Sequence, residues 1–288
     1  MTRALPALLV VLAGCVSPLT NLRSQRPIEL EQARFELRSD GTIEGDVARI
    51  EAAVRRAPEG LARWKGLLEP VTVFVVSDHD TLERAVHRRG YGWLRAWARF
   101  DDVIFQAPST WTTSDDVVGE LVLHELTHCL LFQRSGTRET WIEKSIPLWF
   151  REGMAVVTAK QQRLYPGLED TALWLEREPG LDVFADGESL SATKYLEVYG
   201  FALHAFTFLE RRFGDAKILE VLAAMRAGDD FPSAFQRTLG TPVTSFQRDF
   251  LNYLRWRAFR SNNRTLPRVK LELRELLERR RGVLLQGP

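Results

Sequence analysis

Apolar and polar positions follow two different rhythms along this chain, and the change falls near its middle. Before about residue 107 the apolar runs are short and rich in β-branched or aromatic residues. Val71-Thr72-Val73-Phe74-Val75-Val76 is continuous and predicts a strand. Residues 93–100 and 103–107 read as two more strands, joined at Asp101-Asp102. Residues 28–38 alternate in part, through Phe35 and Leu37, and predict another. Helical spacing occurs at 43–54, 60–68 and 80–88, the last broken by Gly90 and Gly92. From Ser145 onward the period is that of helices: 194–213, 216–227, 231–239, 245–260 and 269–281. Gly214, Gly228 and Gly240 mark stops, and residues 179–191 read as a loop. The expected fold class is α+β, a small twisted mixed sheet with its helices followed by a mostly helical part, with a cleft between the two.

Between these regimes lies a helix that is apolar nearly all round. Val117, Val118, Leu121, Val122 and Leu123 lead in, and Cys129, Leu130, Leu131 and Phe132 lead out, with neither Gly nor Pro from Glu120 to Arg134. Such a helix is buried. Ser114 or Asp115 can cap its start, and Gly136 ends it. In its centre stands His124-Glu125-Leu126-Thr127-His128, the pattern H-E-x-x-H. Positions i and i+4 share a helix face, so two imidazoles there can hold one Zn²⁺ from the same side. Glu125 falls beside the metal without being aimed at it, where the general base of a metal-assisted hydrolysis would sit. A purely structural zinc site has no use for that glutamate. Burying these polar groups without partners is costly; a metal would supply one. The alternative is a coincidental pair of core histidines.

A catalytic zinc site takes a third protein ligand and keeps a fourth position open. The candidate is Glu152 in Ser145-Ile146-Pro147-Leu148-Trp149-Phe150-Arg151-Glu152-Gly153-Met154-Ala155. Ser145 is a plausible N-cap, and Pro147 is tolerated in a first turn. The stripe Leu148, Glu152, Ala155, Val156, Ala159 places Glu152 within the apolar face, where an uncompensated carboxylate is expensive. An arginine such as Arg151 or Arg134 is the competing partner. Gly153 lowers helix propensity and leaves room for a neighbouring helix.

With these two segments in hand, the chain resembles the gluzincin metallopeptidases, specifically the bacterial peptidase MA-like group, whose pattern is H-E-x-x-H followed by P-x-W-x-x-E-G-x-A. The matching positions are His124, Glu125, His128, Pro147, Trp149, Glu152, Gly153 and Ala155. The resemblance implies one zinc ion held by His124, His128 and Glu152, with Glu125 as base. It implies a zinc peptidase of protein or peptide substrates. It extends to Tyr199-Gly200-Phe201-Ala202, Phe213-Gly214 and the segments around Thr238-Leu239-Gly240-Thr241 and 246–256, roughly residues 70–260 in all. Tyr199 is the candidate for polarising the scissile carbonyl, with His204 second and Tyr195 third. By resemblance, the strand at 103–106, with Phe105, is a sheet edge that pairs with extended substrate. One departure concerns the acidic residue that relatives often carry one or two turns after the ligand glutamate. Here 156–160 reads Val-Val-Thr-Ala-Lys, which leaves no partner identified for the histidines. The competing function is a non-catalytic zinc-binding module of the envelope.

The N-terminus sets location. Met1-Thr2-Arg3 is followed by ten apolar-rich residues, 4–13, too short to span a bilayer. The run ends in Leu12-Ala13-Gly14-Cys15, which looks like a bacterial lipobox with Cys15 as the lipidated residue. The expected organisation is a lipoprotein signal peptide at 1–14, a tether at 15–27, an α/β subdomain at 28–135 and a helical subdomain at 136–288. The expected location is the bacterial cell envelope, anchored to a membrane by lipid. No Asp follows Cys15, so nothing argues for retention at the inner membrane; the outer membrane is a guess between the two. With Cys15 acylated, Cys129 has no disulfide partner and reads as a small buried hydrophobe. A net charge of +1 gives no general attraction to nucleic acid.

Overall fold

The computed structural model describes residues 24–262 apart from residue 32, and residues 19 and 22 ahead of them. Cys15, the signal-like run and the helix expected at 269–281 lie outside the described residues.

The sheet has five strands: β1 (Ser24–Leu30), β2 (Ala33–Ser39), β3 (Val71–Val76), β4 (Ala96–Ala98) and β5 (Asp102–Gln106), in the order β1-β2-β3-β5-β4. β1 and β2 form an antiparallel hairpin with Ile28 opposite Phe35, β2 and β5 flank β3 in parallel, and β4 runs antiparallel to β5. The single strand expected at 28–38 is therefore a hairpin, and residues 24–27, expected in a tether, belong to β1. Pro27 is compatible with this because β1 is an outer strand, where a missing N–H is tolerated. Side chains alternate between two faces of the sheet. Val71, Val73, Val75, Val103 and Phe105 enter the main core, whereas Phe74, Val76 and Ile104 join Leu82, Ala85 and Val86 in a smaller cluster.

Helix α1 (Glu44–Leu61) packs on the main-core face, and α2 (His79–Val86) packs on the other, under the smaller cluster. Helix α3 (Asp115–Ser135) lies against α1 and carries the His-Glu-Leu-Thr-His segment. Ser114 rather than Asp115 caps it, its hydroxyl accepting from Val117 N–H at 3.4 Å, and Gly136 is its C-cap. Helix α4 (Leu148–Thr158) begins one residue after Pro147, which is its N-cap. Ser145, expected in that role, instead takes a left-handed turn at φ 47° ahead of the helix. Beyond lie α5 (Leu168–Arg177), α6 (Val183–Arg226), α7 (Phe231–Leu239) and α8 (Val243–Asn262). α6 departs from helical angles at Lys194 and at Gly214 (φ 78°), where the glycine stop was expected. The loop expected at 179–191 is helical from Val183 onward, because Asp182 caps it through Phe184 and Ala185 N–H, each at 3.1 Å.

One apolar cluster runs from Ile28 to Leu254, so the regions before and after residue 135 share a core. Trp149 fastens α4 into it, stacked on Phe246 at 5.2 Å and edge-on to Phe184 at 5.7 Å and Phe231 at 6.2 Å. Gly153 is where α4 meets α6. A Cβ there would lie 2.4 Å from Ala202 O and 2.5 Å from Phe206 Cβ, so the close approach requires glycine. Gly153→Ala should therefore destabilise the fold by about 1–3 kcal/mol, the usual cost of overpacking. Urea unfolding of the two proteins measures it, and equal midpoints would mean that α4 and α6 have room to part.

Candidate metal centre

α3 presents His124 and His128 one turn apart, and the start of α4 brings Glu152 to meet them. His128 Nε2 is 3.2 Å from His124 Nε2, and Glu152 Oε2 is 3.5 Å from His124 Nε2 and 3.4 Å from His128 Nε2. Among the described residues this is the group whose ligand atoms converge for a metal. All three are buried, at 6%, 7% and 5% exposure for His124, His128 and Glu152.

These distances test whether a zinc ion fits. Metal–ligand bonds of about 2.0–2.1 Å in a tetrahedron place ligand atoms roughly 3.3–3.4 Å apart. The observed triangle has that size. The donor set is also right. Gln161 Oε1 is 2.8 Å from His124 Nδ1, a partner for an Nδ1 proton that would free Nε2 as the ligand atom when a metal is bound. Glu152 Oε2 is buried and makes no hydrogen bond. Burial alone would push the Glu152 carboxyl up, yet His128, His124 and Arg151 together hold it well below the ordinary range, so it is an anion. A pocket with a buried anion and converging imidazole nitrogens favours a cation. The residues fit a zinc ion.

Glu125 is buried at 8% exposure and lies beside the triangle. Burial pushes its carboxyl up, while His124, His128 and a hydrogen bond from the Ala98 backbone oppose the rise. Ala98 belongs to β4, and its placement corrects one expectation. The sheet edge expected at 103–106 lies at β4, because β5 is paired on both sides, with β3 and with β4. Phe105 is fully buried in the main core and has no open backbone side. In β4 the bonds Arg99 N–H to Asp102 O and Gln106 N–H to Arg95 O turn residues 95 and 99 toward β5. Ala96 and Ala98, out of phase with them, direct their backbone groups to the outer side. The open strand edge thus lies next to Glu125.

Tyr199 comes to the site: its ring lies parallel to His124, centroids 6.5 Å apart. Burial pushes its phenol well above the ordinary value, with Glu152 next in effect, so the O–H keeps its proton. Tyr195 stands behind it, edge-on at 6.4 Å and stacked on Trp93 at 5.2 Å. His204 is turned elsewhere. Its Nε2 is 2.9 Å from Pro166 O, and it lines a separate cavity of about 690 Å³ with Phe208, Arg211 and Tyr253. Cys129 is buried, and burial holds its thiol well above the ordinary value.

Two residues at the site carry no obvious sequence signal, and a third was read only as a rival. Gln161, one residue past the window in which an acidic partner was sought, orients His124. Tyr165 packs on Tyr199 with ring centroids 5.8 Å apart, and burial, reinforced by Glu152, raises its phenol strongly. Arg151, considered as a rival partner for Glu152, does bond it, but in addition to the histidines; Arg134 instead donates to the carbonyls of Lys65 and Gly66.

No protein-family profile matches the chain, and no curated protein does. Solved structures with some likeness include a mutant of a two-domain M1 zinc metallopeptidase bound to L-arginine. Identity there is 16% and the TM-score 0.44, over 81% of this chain and 51% of that one. Another is a mutant M1 zinc metallopeptidase from Deinococcus radiodurans, at 17% identity and a TM-score of 0.39, over 85% of this chain and 52% of that one. This chain spans about half the length of those proteins, and the chemistry rests on the site's own geometry. Replacing Gln161 by Ala should weaken zinc binding by about 10–100-fold through loss of the His124 tautomer. Competition with a chromogenic chelator measures this, and an unchanged affinity would deny Gln161 the role.

Proposed function

We propose that this protein is a zinc-dependent peptidase that cleaves protein or peptide substrates in the bacterial cell envelope. The observation that carries the reading is the pairing of a zinc-sized ligand triangle with a buried glutamate that bonds an open strand edge. A structural metal site would have no need of Glu125 or of that edge.

When bound, zinc supplies a Lewis acid that acidifies water and polarises a carbonyl. The chain's residues do the rest. The outer side of β4, through Ala96 and the Ala98 carbonyl, offers backbone partners to an extended peptide. Glu125 takes the proton of the attacking water and passes it to the leaving amine. Tyr199 keeps its proton and so presents an O–H donor to the oxyanion that develops on the carbonyl. Burial of the ligands limits competing water at the site.

Glu125→Gln should retain zinc at wild-type stoichiometry and lose about 10²–10⁴-fold in cleavage of an unfolded protein substrate. Cleavage at the wild-type rate would remove Glu125 as base. Zinc binding with no cleavage by the wild type, across unfolded proteins and peptide mixtures, would favour the non-catalytic module. The anchoring part of the proposal rests on the sequence around Cys15. Labelled palmitate should enter the wild-type protein in bacterial cells and not the Cys15→Ser variant; equal labelling would exclude that cysteine as the site.

A further inference from the structure

We propose that Arg151 is a positioning residue for the metal centre: it holds one oxygen of Glu152, so that the carboxylate meets the metal through its other oxygen alone. The proposal rests on the metal reading of the His124, His128 and Glu152 triangle.

The two oxygens of Glu152 have different surroundings. Oε2 faces the two imidazole Nε2 atoms, at 3.4 and 3.5 Å. Oε1 accepts from Arg151 Nε at 3.1 Å. Residues i and i+1 on a helix point about 100° apart and do not normally meet. Arg151 reaches its neighbour because it is drawn back from outside α4. Its Nη2 donates to Glu188 Oε1 at 2.8 Å, from the first turns of α6, and its Nη1 lies 3.5 Å from Ile146 O. One planar guanidinium therefore spans two carboxylates on two helices, using different edges of its fork.

The consequence is a choice of denticity. A carboxylate free to rotate can bring both oxygens to a metal and fill the position that substrate needs. With Oε1 engaged, only Oε2 is available, and a tetrahedral site keeps its fourth position open. A lysine could supply the charge but not both bonds in fixed directions. A merely structural role, tying α4 to α6, would affect stability without altering how a metal is coordinated.

The test uses the full chain loaded with Zn²⁺ for affinity and with Co²⁺ for its visible absorption, whose intensity falls as coordination number rises. Arg151→Met should weaken Zn²⁺ binding by about 10-fold or more, in the range seen when groups supporting a metal ligand are removed. It should also lower the Co²⁺ band intensity as Glu152 becomes free to chelate. Arg151→Lys should restore affinity in part and the band intensity less. A folded Arg151→Met protein with wild-type affinity and spectrum overturns the proposal. If that variant does not fold, Glu188→Gln decides. It loosens the hold on Arg151 and should shift both readings in the same direction, and unchanged readings overturn the proposal. A wild-type chain that binds neither metal at one per molecule removes the metal reading itself, an outcome distinct from a metal-binding wild type with indifferent variants.

Discussion

A carboxylate buried in an apolar helix face must be matched, and Glu152 imposes that demand on the structure around it. It sits 5% exposed on α4, a helix whose other buried side chains are almost all apolar. Its partners are His124 and His128 of α3 and, from its own helix, Arg151, which Glu188 of α6 holds in place. This requires α4 to cross α3 at the height of His124 and His128 and to press on α6 closely enough that position 153 has no space for a side chain. Trp149, gripped by aromatic rings of α6, α7 and α8, fixes where α4 lies along this crossing. The sheet contributes at one remove: it gives α3 a face to lie on and brings the outer side of β4 to Glu125. The polar centre and the apolar packing are one problem with one solution, since the helix contacts that bury Glu152 also deliver its partners.

The parts of the site that could be read from sequence are those whose geometry is local. A helix fixes the relation of His124, Glu125 and His128 without help from the fold, and the same periodicity puts Glu152 on an apolar face. The α+β class followed from the change of rhythm along the chain, and α7 was legible to the residue because Gly228 and Gly240 bound it. What escaped depends on contacts across the chain. Gln161 looks like a loop amide until α4 ends and turns its side chain to His124. Tyr165 stands in a short irregular stretch with no period. Residues 183–191 read as a loop because Gly187 and a run of polar residues hid a helix that Asp182 caps.

The misplaced sheet edge is instructive because the signal was present. Val103-Ile104-Phe105 is apolar on both faces, the mark of a strand covered on both sides and so usually interior. Residues 95–99, Arg-Ala-Trp-Ala-Arg, alternate large polar or amphipathic side chains with small ones, as an outer strand does. The resemblance, applied to the strand just ahead of α3, suggested β5 as the edge. The pattern of faces pointed to β4, which is where the edge lies.

The supporting groups also share a logic of charge. Two carboxylates, Glu125 and Glu152, are buried close enough that each raises the cost of ionising the other. A carboxylate in place of Gln161 would add a third negative charge at the back of His124 and press Glu125 further toward its protonated form, in which it is no base. The neutral amide fixes the tautomer of His124 without adding charge, and the guanidinium of Arg151 stabilises Glu152 as an anion. Both groups act in one direction: they support His124 and Glu152 without placing a further negative charge beside Glu125. The departure at positions 156–160 is then no defect in the second layer of the site. The His124 ring and the Glu152 carboxylate are held instead by a different pair of residues, Gln161 and Arg151.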